Sequence, residues 1–144
     1  DHWKSGMRTM HGLMSNGFPN LFMCGGLFVF QLGANYAYGV DVQAEHVAYT
    51  ISELSRRNIR VANVSAEAEQ EWIDDQLSSE SAQTQLVLGG SSVSCTPGYY
   101  NQEGTSKRYR NVRLESYSKG LGAYRKVLRD WRSSEELPGL EMTS

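Results

Sequence analysis

The sequence predicts an α/β fold, or α+β when its 144 residues are taken as an isolated piece. Two patterns carry this prediction. The apolar run from Leu21 to Cys24 ends at the pair Gly25-Gly26, which is typical of a short buried strand that stops at a turn. From about Val40 to Arg57, apolar residues recur at helical spacing, which indicates an amphipathic helix. The predicted order is strand, glycine turn, loop and helices.

The residues before the apolar run are predicted to form a neighbouring strand. Asn16-Gly17 is a strong turn signal, so residues 7–14 can pair with residues 21–24. His11 lies in the first of these segments, and no acid or base at recognisable spacing would activate it. We therefore expect a structural or surface histidine there rather than a catalytic one.

The loop that follows the glycine pair is unusually apolar for a connection. Loops of this length inside compact domains tend to be functional. Phe28 and Phe30 can line a ligand pocket or fill a core, and their alternation fits both interpretations. Asn35 lies just before the helix, where its side chain can cap the helix or hold the loop through hydrogen bonds to the backbone.

The helix predicted from about Val40 to Arg57 has an apolar stripe that we expect to be buried. The stripe consists of Val40, Ala44, Val47, Ala48, Ile51 and Leu54. Glu45, His46 and Glu53 fall toward other faces and are predicted to be solvated. Because adjacent residues on a helix point apart, Glu45 and His46 do not form a metal site.

A second strand and a second helix are predicted next. Arg60 to Val64 is a short strand candidate, and Ser65 after it is a good N-cap for a helix that ends at about Ser78. The buried stripe of this helix is predicted to be Ala68, Trp72, Ile73, Gln76 and Leu77. The acidic residues Glu71, Asp74 and Asp75 are interpreted as an exposed face rather than as paired catalytic carboxylates.

The second half of the chain carries weaker signals. Residues 78–94 are rich in Ser, Gln, Thr and Gly and fit a loop or a frayed helix end, while Pro97-Gly98 fits a type II turn. A basic cluster can bind a phosphate or form a solvated loop, and the second interpretation is favoured. It consists of Lys107, Arg108, Arg110 and Arg113. A last helix is predicted from about Gly120 to Arg132, and a final strand at residues 140–142.

The composition excludes several classes of function. With a net charge of −2 and no long basic block, nucleic acid is not an implied partner. No apolar run approaches the roughly 20 residues that a membrane span needs. Cys24 and Cys95 are interpreted as reduced thiols of a cytoplasmic protein. The chain begins with Asp rather than Met, which fits a processed product or a piece of a longer protein.

A set of sequence blocks extends in order over nearly the whole chain. The blocks are Trp3, residues 6–9, His11-Gly12, residues 17–22, Asn35, Gln43, residues 46–49, residues 95–104 and residues 138–141. They resemble the C-terminal portion of flavin-dependent Baeyer–Villiger monooxygenases, and Cys95-Thr96-Pro97-Gly98-Tyr99-Tyr100-Asn101 is the most specific block. Many members of that family carry Ser-Trp where this chain has Cys95-Thr96. They bind FAD and NADPH through two upstream Gly-x-Gly-x-x-Gly turns, and neither turn occurs in this sequence.

The resemblance implies an incomplete piece of a flavoprotein with two dinucleotide-binding domains. Residues 1–39 correspond to the end of an FAD-binding-domain-like segment with an active-site loop, and residues 40–144 to a C-terminal helical cap segment. The implied cofactor-binding residues are Gly25, Gly26 and Asn35. The implied substrate pocket consists of Phe28, Phe30, Gln31, Leu32, Tyr99 and Tyr100. The catalytic residues of the family lie upstream, and no metal is implied.

Two functions from different classes stay open. In the favoured one, the chain is the C-terminal portion of an FAD- and NADPH-dependent monooxygenase of secondary metabolism that converts a ketone to an ester or lactone. Alone, it is predicted to hold no FAD, because the pyrophosphate needs a glycine turn at a helix N-terminus. In the other, it is a standalone binding protein for an apolar ligand, or a non-oxidative cyclase or isomerase. A sheet edge left without its neighbours also predicts self-association.

Overall fold

The computed structural model describes residues 2–4, 8–24, 35–78, 117 and 119–144. These residues form helices and a two-stranded sheet, which confirms the predicted mixed fold class. In chain order the elements are α1 (Tyr36–Arg56), β1 (Val61–Val64), α2 (Ala66–Ser78), α3 (Leu121–Ser133) and β2 (Leu140–Thr143). Within the described ranges, no helix combines the length and the apolar character needed to cross a membrane.

Helix α1 begins four residues before the predicted start because Asn35 caps it. The cap residue is extended, with φ −70° and ψ 119°, and its Oδ1 accepts a hydrogen bond from the N–H of Ala37 at 2.9 Å. The helix ends after Arg56, where the left-handed residue Asn58 has φ 57°. The prediction that Asn35 serves as a cap is therefore confirmed.

The predicted buried face of α1 is wrong in part, because Leu54 is buried and Val47 packs against the core as predicted, but the other buried positions differ. Ala44, Ala48 and Ile51 are exposed, and the buried residues of the helix are Gly39, Val42, Gln43, His46, Thr50 and Leu54. The inner face is polar at its centre because hydrogen-bonding partners from other segments meet it there. Apolar periodicity identifies hydrophobic side chains but not hydrogen-bonding partners in distant segments. It therefore does not predict the burial of polar residues on this face.

The two strands pair in antiparallel fashion, as short strands at both predicted positions. Val61 lies opposite Thr143, and Val64 lies opposite Leu140. Ser65 then caps α2, since its Oγ accepts a hydrogen bond from the N–H of Ala68 at 3.1 Å. The predicted start and end of α2 are confirmed, and so is the burial of Trp72, Ile73 and Gln76 on its inner face.

The predicted strand at residues 21–24 is wrong. Leu21 and Cys24 are exposed, and the N–H of Met23 donates a hydrogen bond to the carbonyl of Leu13 at 2.8 Å. Residues 10–14 close on themselves instead, through a bridge between Met10 and Met14. A strand buried on both faces needs a neighbouring strand on each side, and the described residues supply none there.

Helix α3 lies between two apolar clusters. The helical spacing that predicts α3 is that of Leu121, Tyr124, Leu128 and Trp131. Tyr124, Leu128 and Trp131 are buried, and Leu121 is half-buried. The first cluster consists of Met10, Leu13, Met14, Leu54, Ala62, Val64, Trp131 and Leu137. The second consists of Val42, Trp72, Tyr117, Tyr124 and Leu128. Because α3 contributes to both, it joins the N-terminal turn, α1 and α2 into one core.

Candidate functional site

A tight turn at residues 10–14 brings His11 into the core. The N–H of Leu13 donates to the carbonyl of Met10 at 3.1 Å, and the two central residues, His11 and Gly12, have φ values of 58° and 72°. Positive φ at both central positions is the requirement of a type I′ turn, and it is unfavourable for a residue with a Cβ. His11 is only 5% exposed, so surrounding structure must hold it in this conformation.

His11 and His46 form a buried pair. His11 Nδ1 lies 3.3 Å from His46 Nε2, and His46 is completely buried. At this separation one nitrogen donates and the other accepts, so the two rings share one hydrogen bond. The expectation that His46 is solvated is wrong, whereas the structural interpretation of His11 holds. A histidine on the polar side of an amphipathic helix gave no sign that it faces a second histidine.

Aromatic rings enclose the histidine pair. The ring of Trp72 lies 5.0 Å from that of His11, and the ring of Trp131 lies 4.9 Å from that of His46. Burial lowers the pKa of His11 to about 3. Burial, repulsion from His11 in its protonated form and the positive charge of Arg132 lower the pKa of His46 to about 2. Both imidazoles are therefore neutral at physiological pH, so the pair shapes the core rather than supplying a proton.

Tyr124 connects α3 to the turn and to α1. Its Oη donates to the carbonyl of His11 at 2.8 Å, and Gln43 Nε2 donates to the same Oη at 3.4 Å. Tyr124 and Gln43 are both completely buried. Burial raises the pKa of Tyr124, so its hydroxyl stays protonated and keeps donating.

A second buried polar centre lies at Glu69 on α2. Its carboxylate accepts from the N–H of Asn16 at 2.8 Å and from Ser15 Oγ at 3.0 Å. Arg8 Nε at 3.0 Å and His2 Nε2 at 3.1 Å complete the set. Burial raises the pKa of Glu69, but these hydrogen bonds outweigh that effect and hold it below its usual value. Glu69 thus fixes the N-terminal segment on α2.

A cleft of about 650 Å³ opens beside the histidine pair. Its inner wall includes His11, Trp72 and Trp131. At its rim Asp75 accepts hydrogen bonds from Tyr117 Oη, at 3.2 Å, and from Lys119 Nζ. Glu71 and Asp74 on the same helix are exposed, as the charged-face interpretation predicts. In the described residues these groups form ion pairs and hydrogen bonds rather than a nucleophile with its base.

Of the residues predicted to contact cofactor or substrate, the structure describes Asn35. It lies exposed at the start of α1 and its side chain is engaged in capping. The other predicted residues lie outside the described residues: Gly25, Gly26, Phe28, Phe30, Gln31, Leu32, Tyr99 and Tyr100. The basic cluster at residues 107–113 and Cys95 lie outside them as well.

The described residues do not by themselves fit FAD. Its pyrophosphate needs a glycine turn between a strand and a helix, where free N–H groups point at the phosphates. At the starts of α1 and α2, side chains of Asn35 and Ser65 already accept from backbone N–H groups. Gly120 precedes α3 with φ 92°, but no strand in the described part of the chain leads into it. We therefore derive no reaction step through FAD from these residues.

No protein-family model matches the chain. Among curated proteins, neopentalenolactone D synthase from Streptomyces avermitilis is 35% identical over 150 residues, which cover 99% of this chain and 23% of the relative. FAD-binding monooxygenase ausC from Aspergillus calidoustus is 34% identical over 155 residues, which cover 98% of this chain and 22% of the relative.

Solved structures give the same match. Polycyclic ketone monooxygenase from the thermophilic fungus Thermothelomyces thermophila superposes with a TM-score of 0.74 and 30% identity, over 98% of this chain and 22% of that protein. Cyclohexanone monooxygenase from Rhodococcus sp. Phi1, bound to NADP+, superposes with a TM-score of 0.74 and 26% identity, over 100% of this chain and 25% of that protein. The chain thus spans about a quarter or less of the proteins it matches.

Proposed function

We infer a function from the homology of this chain to one segment of the flavin-dependent Baeyer–Villiger monooxygenases. We propose that it is the C-terminal portion of such an enzyme, one that uses FAD and NADPH to convert a ketone to an ester or lactone. The supporting observation is the superposition of 98% of the chain on a polycyclic ketone monooxygenase, at a TM-score of 0.74 and 30% identity.

In this function the described residues position other groups rather than react. Bound FAD, reduced by NADPH, supplies the oxygen-inserting chemistry. Met23 is hydrogen-bonded to the N-terminal turn, and Asn35 caps α1, so the described residues on each side of residues 25–34 are held by a hydrogen bond. We propose Gly25, Gly26 and Asn35 as cofactor contacts. The proposed substrate pocket consists of Phe28, Phe30, Gln31, Leu32, Tyr99 and Tyr100.

Three smaller proposals accompany this function. The boundary near residue 40 separates an FAD-domain-like segment from a cap segment. The proposed location is the cytoplasm, because two cysteines make no disulfide framework. The isolated chain self-associates, since Trp3, Phe18 and Leu21 are exposed large apolar side chains. Elution of the isolated chain as a monomer in size-exclusion chromatography would contradict the last proposal.

A chimera tests the main proposal. The matching segment of the Thermothelomyces polycyclic ketone monooxygenase is replaced by this chain, and conversion of cyclohexanone and of a polycyclic ketone is measured with NADPH. We expect flavin to bind and at least one ketone to yield a lactone. The 144-residue chain alone, given FAD and NADPH, should show neither flavin binding nor product. A folded, flavin-loaded chimera without activity on any ketone would count against the proposal, and a yellow, active isolated chain would contradict it.

A further inference from the structure

The carbonyl of His11 accepts a hydrogen bond from a buried donor. Tyr124 Oη donates to it at 2.8 Å, and Tyr124 is completely buried. Removing this hydroxyl leaves a carbonyl in the core without its partner, which costs about 1–3 kcal/mol. The bond therefore contributes to holding the turn at residues 10–14 where it is.

The backbone that this bond holds is in an unfavourable conformation. His11 has φ 58°, and a residue with a Cβ in that region costs about 1–2 kcal/mol. Two hydrogen bonds from other elements oppose this cost, namely that of Tyr124 at the carbonyl and that of His46 at the imidazole. With one of them lost, the turn is free to relax toward a more ordinary conformation.

A backbone hydrogen bond connects the turn at residues 10–14 to the segment that ends at Cys24. The carbonyl of Leu13, two residues after His11, accepts from the N–H of Met23 at 2.8 Å. Leu13 is completely buried, so this carbonyl shifts only together with the turn and the core around it. Cys24, directly after Met23, ends the described part of this segment.

We propose that Tyr124 is a positioning residue, which sets the place of Met23 and Cys24 through the turn at residues 10–14. The catalytic consequence rests on the proposed monooxygenase function, in which the proposed cofactor contacts Gly25 and Gly26 directly follow Cys24 in the sequence. The hydrogen bonds that connect Tyr124 to Met23 lie entirely in described residues. Tyr124 therefore acts on the reaction by fixing the backbone directly before the proposed cofactor contacts.

The chain offers a matched control. Tyr49 Oη also donates to a backbone carbonyl, that of Arg132, at 2.8 Å, and it also joins α1 to α3. Tyr49→Phe removes a bond of the same kind without touching the turn. Amide hydrogen exchange at Met23 in the 144-residue chain is then compared between Tyr124→Phe and Tyr49→Phe. Each variant is measured at a temperature equally far below its own unfolding midpoint. We expect exchange at Met23 about tenfold faster in Tyr124→Phe and near the parent rate in Tyr49→Phe.

Equal acceleration in the two variants, or none in either, overturns the positioning role. If Tyr124→Phe does not fold in the isolated chain, the same comparison with Tyr49→Phe is made in the flavin-loaded chimera. Exchange at Met23 about tenfold faster in Tyr124→Phe is expected there, and equal rates in the two variants contradict the proposal.

Catalysis gives a separate measurement. In the chimera, Tyr124→Phe should raise KM for the ketone and lower the lactone formed per NADPH consumed, each about threefold, while Tyr49→Phe changes neither. Loss of thermal stability with both quantities unchanged would indicate a merely structural role. If the parent chimera oxidises no ketone, the proposed function fails, and exchange at Met23 still decides whether Tyr124 positions this segment.

Discussion

Asn20 and Ala62 form a reciprocal pair of hydrogen bonds. The N–H of Asn20 donates to the carbonyl of Ala62 at 2.9 Å, and the N–H of Ala62 donates to Asn20 Oδ1 at 2.9 Å. Asn20 Nδ2 also donates to the carbonyl of Arg60 at 3.0 Å. Asn20 has φ 61°, a conformation that asparagine adopts more readily than most residues. One asparagine thus gives the backbone around β1 the partners that another strand would provide.

Asn20→Ala is expected to destabilise the chain by about 2–3 kcal/mol, since the N–H of Ala62 loses its acceptor and alanine is poorly suited to positive φ. The control is Asn58→Ala, because Asn58 has φ 57° but its side chain forms no hydrogen bond with another described residue. It should cost only about 1 kcal/mol. Urea unfolding followed by tryptophan fluorescence measures both, and equal losses would show that the hydrogen bonds of Asn20 contribute nothing.

Gly139→Ala is expected to cost about 3 kcal/mol, from positive φ and from overpacking together. A Cβ on Gly139 would lie 2.6 Å from the Cβ of Ala68 and 3.0 Å from Met10 Sδ. Gly17→Ala is the matched control, because Gly17 has φ 80° and open space around its missing Cβ. It should cost about 1 kcal/mol. Thermal unfolding of the two variants separates contact from backbone strain, and similar midpoints would refute the close contact at Gly139.

Glu69→Gln is expected to lower stability at neutral pH by about 2 kcal/mol, because Arg8, Ser15 and Asn16 lose a charged acceptor. Glu67→Gln on the exposed side of the same helix should stay within about 0.5 kcal/mol of the parent.

The acid dependence of stability follows from the same carboxylate. The pKa of Glu69 in the folded chain lies below its ordinary value of 4.5, so its contribution is present above that pH and is lost as the pH falls below it. The decline in urea midpoint below pH 4.5 should therefore be shallower in Glu69→Gln than in Glu67→Gln. Parallel declines in the two variants would contradict the assignment.

The buried histidines predict a loss of stability at a higher pH. The folded pKa values of His11 and His46, about 3 and about 2, lie far below the ordinary 6.5, so protons bind only to the unfolded chain as the pH falls through 6.5. Between about pH 7.5 and about pH 5.5, each imidazole should lower the free energy of unfolding by about 1.5 kcal/mol, and the pair should lower it by about 3 kcal/mol. In His46→Gln, urea titrations at the two pH values should show about half of that loss. A full loss in this variant would mean that His46 is accessible to protons when folded.

Much of the architecture could be predicted because local chemistry dictates it. Three features depend only on neighbours in sequence. They are the cap residue Ser65 before an acidic helix start, the helical spacing of Tyr124, Leu128 and Trp131, and the short strand at residues 61–64. The ordered blocks from Trp3 to Glu141 also indicated the family, and the match over 99% of the chain to a curated relative confirms that resemblance.

The sequence by itself determined the three helices and the two short strands of the described residues, and the resemblance to flavin-dependent monooxygenases. Only the tertiary structure decided that residues 21–24 are not a strand, that α1 buries Gln43, His46 and Thr50, and that Glu69 lies inside. The physical reason is that a polar residue is buried when a partner from a distant segment satisfies it. His46 meets His11 across 35 positions and Glu69 meets Ser15 across 54, and no local pattern records such meetings.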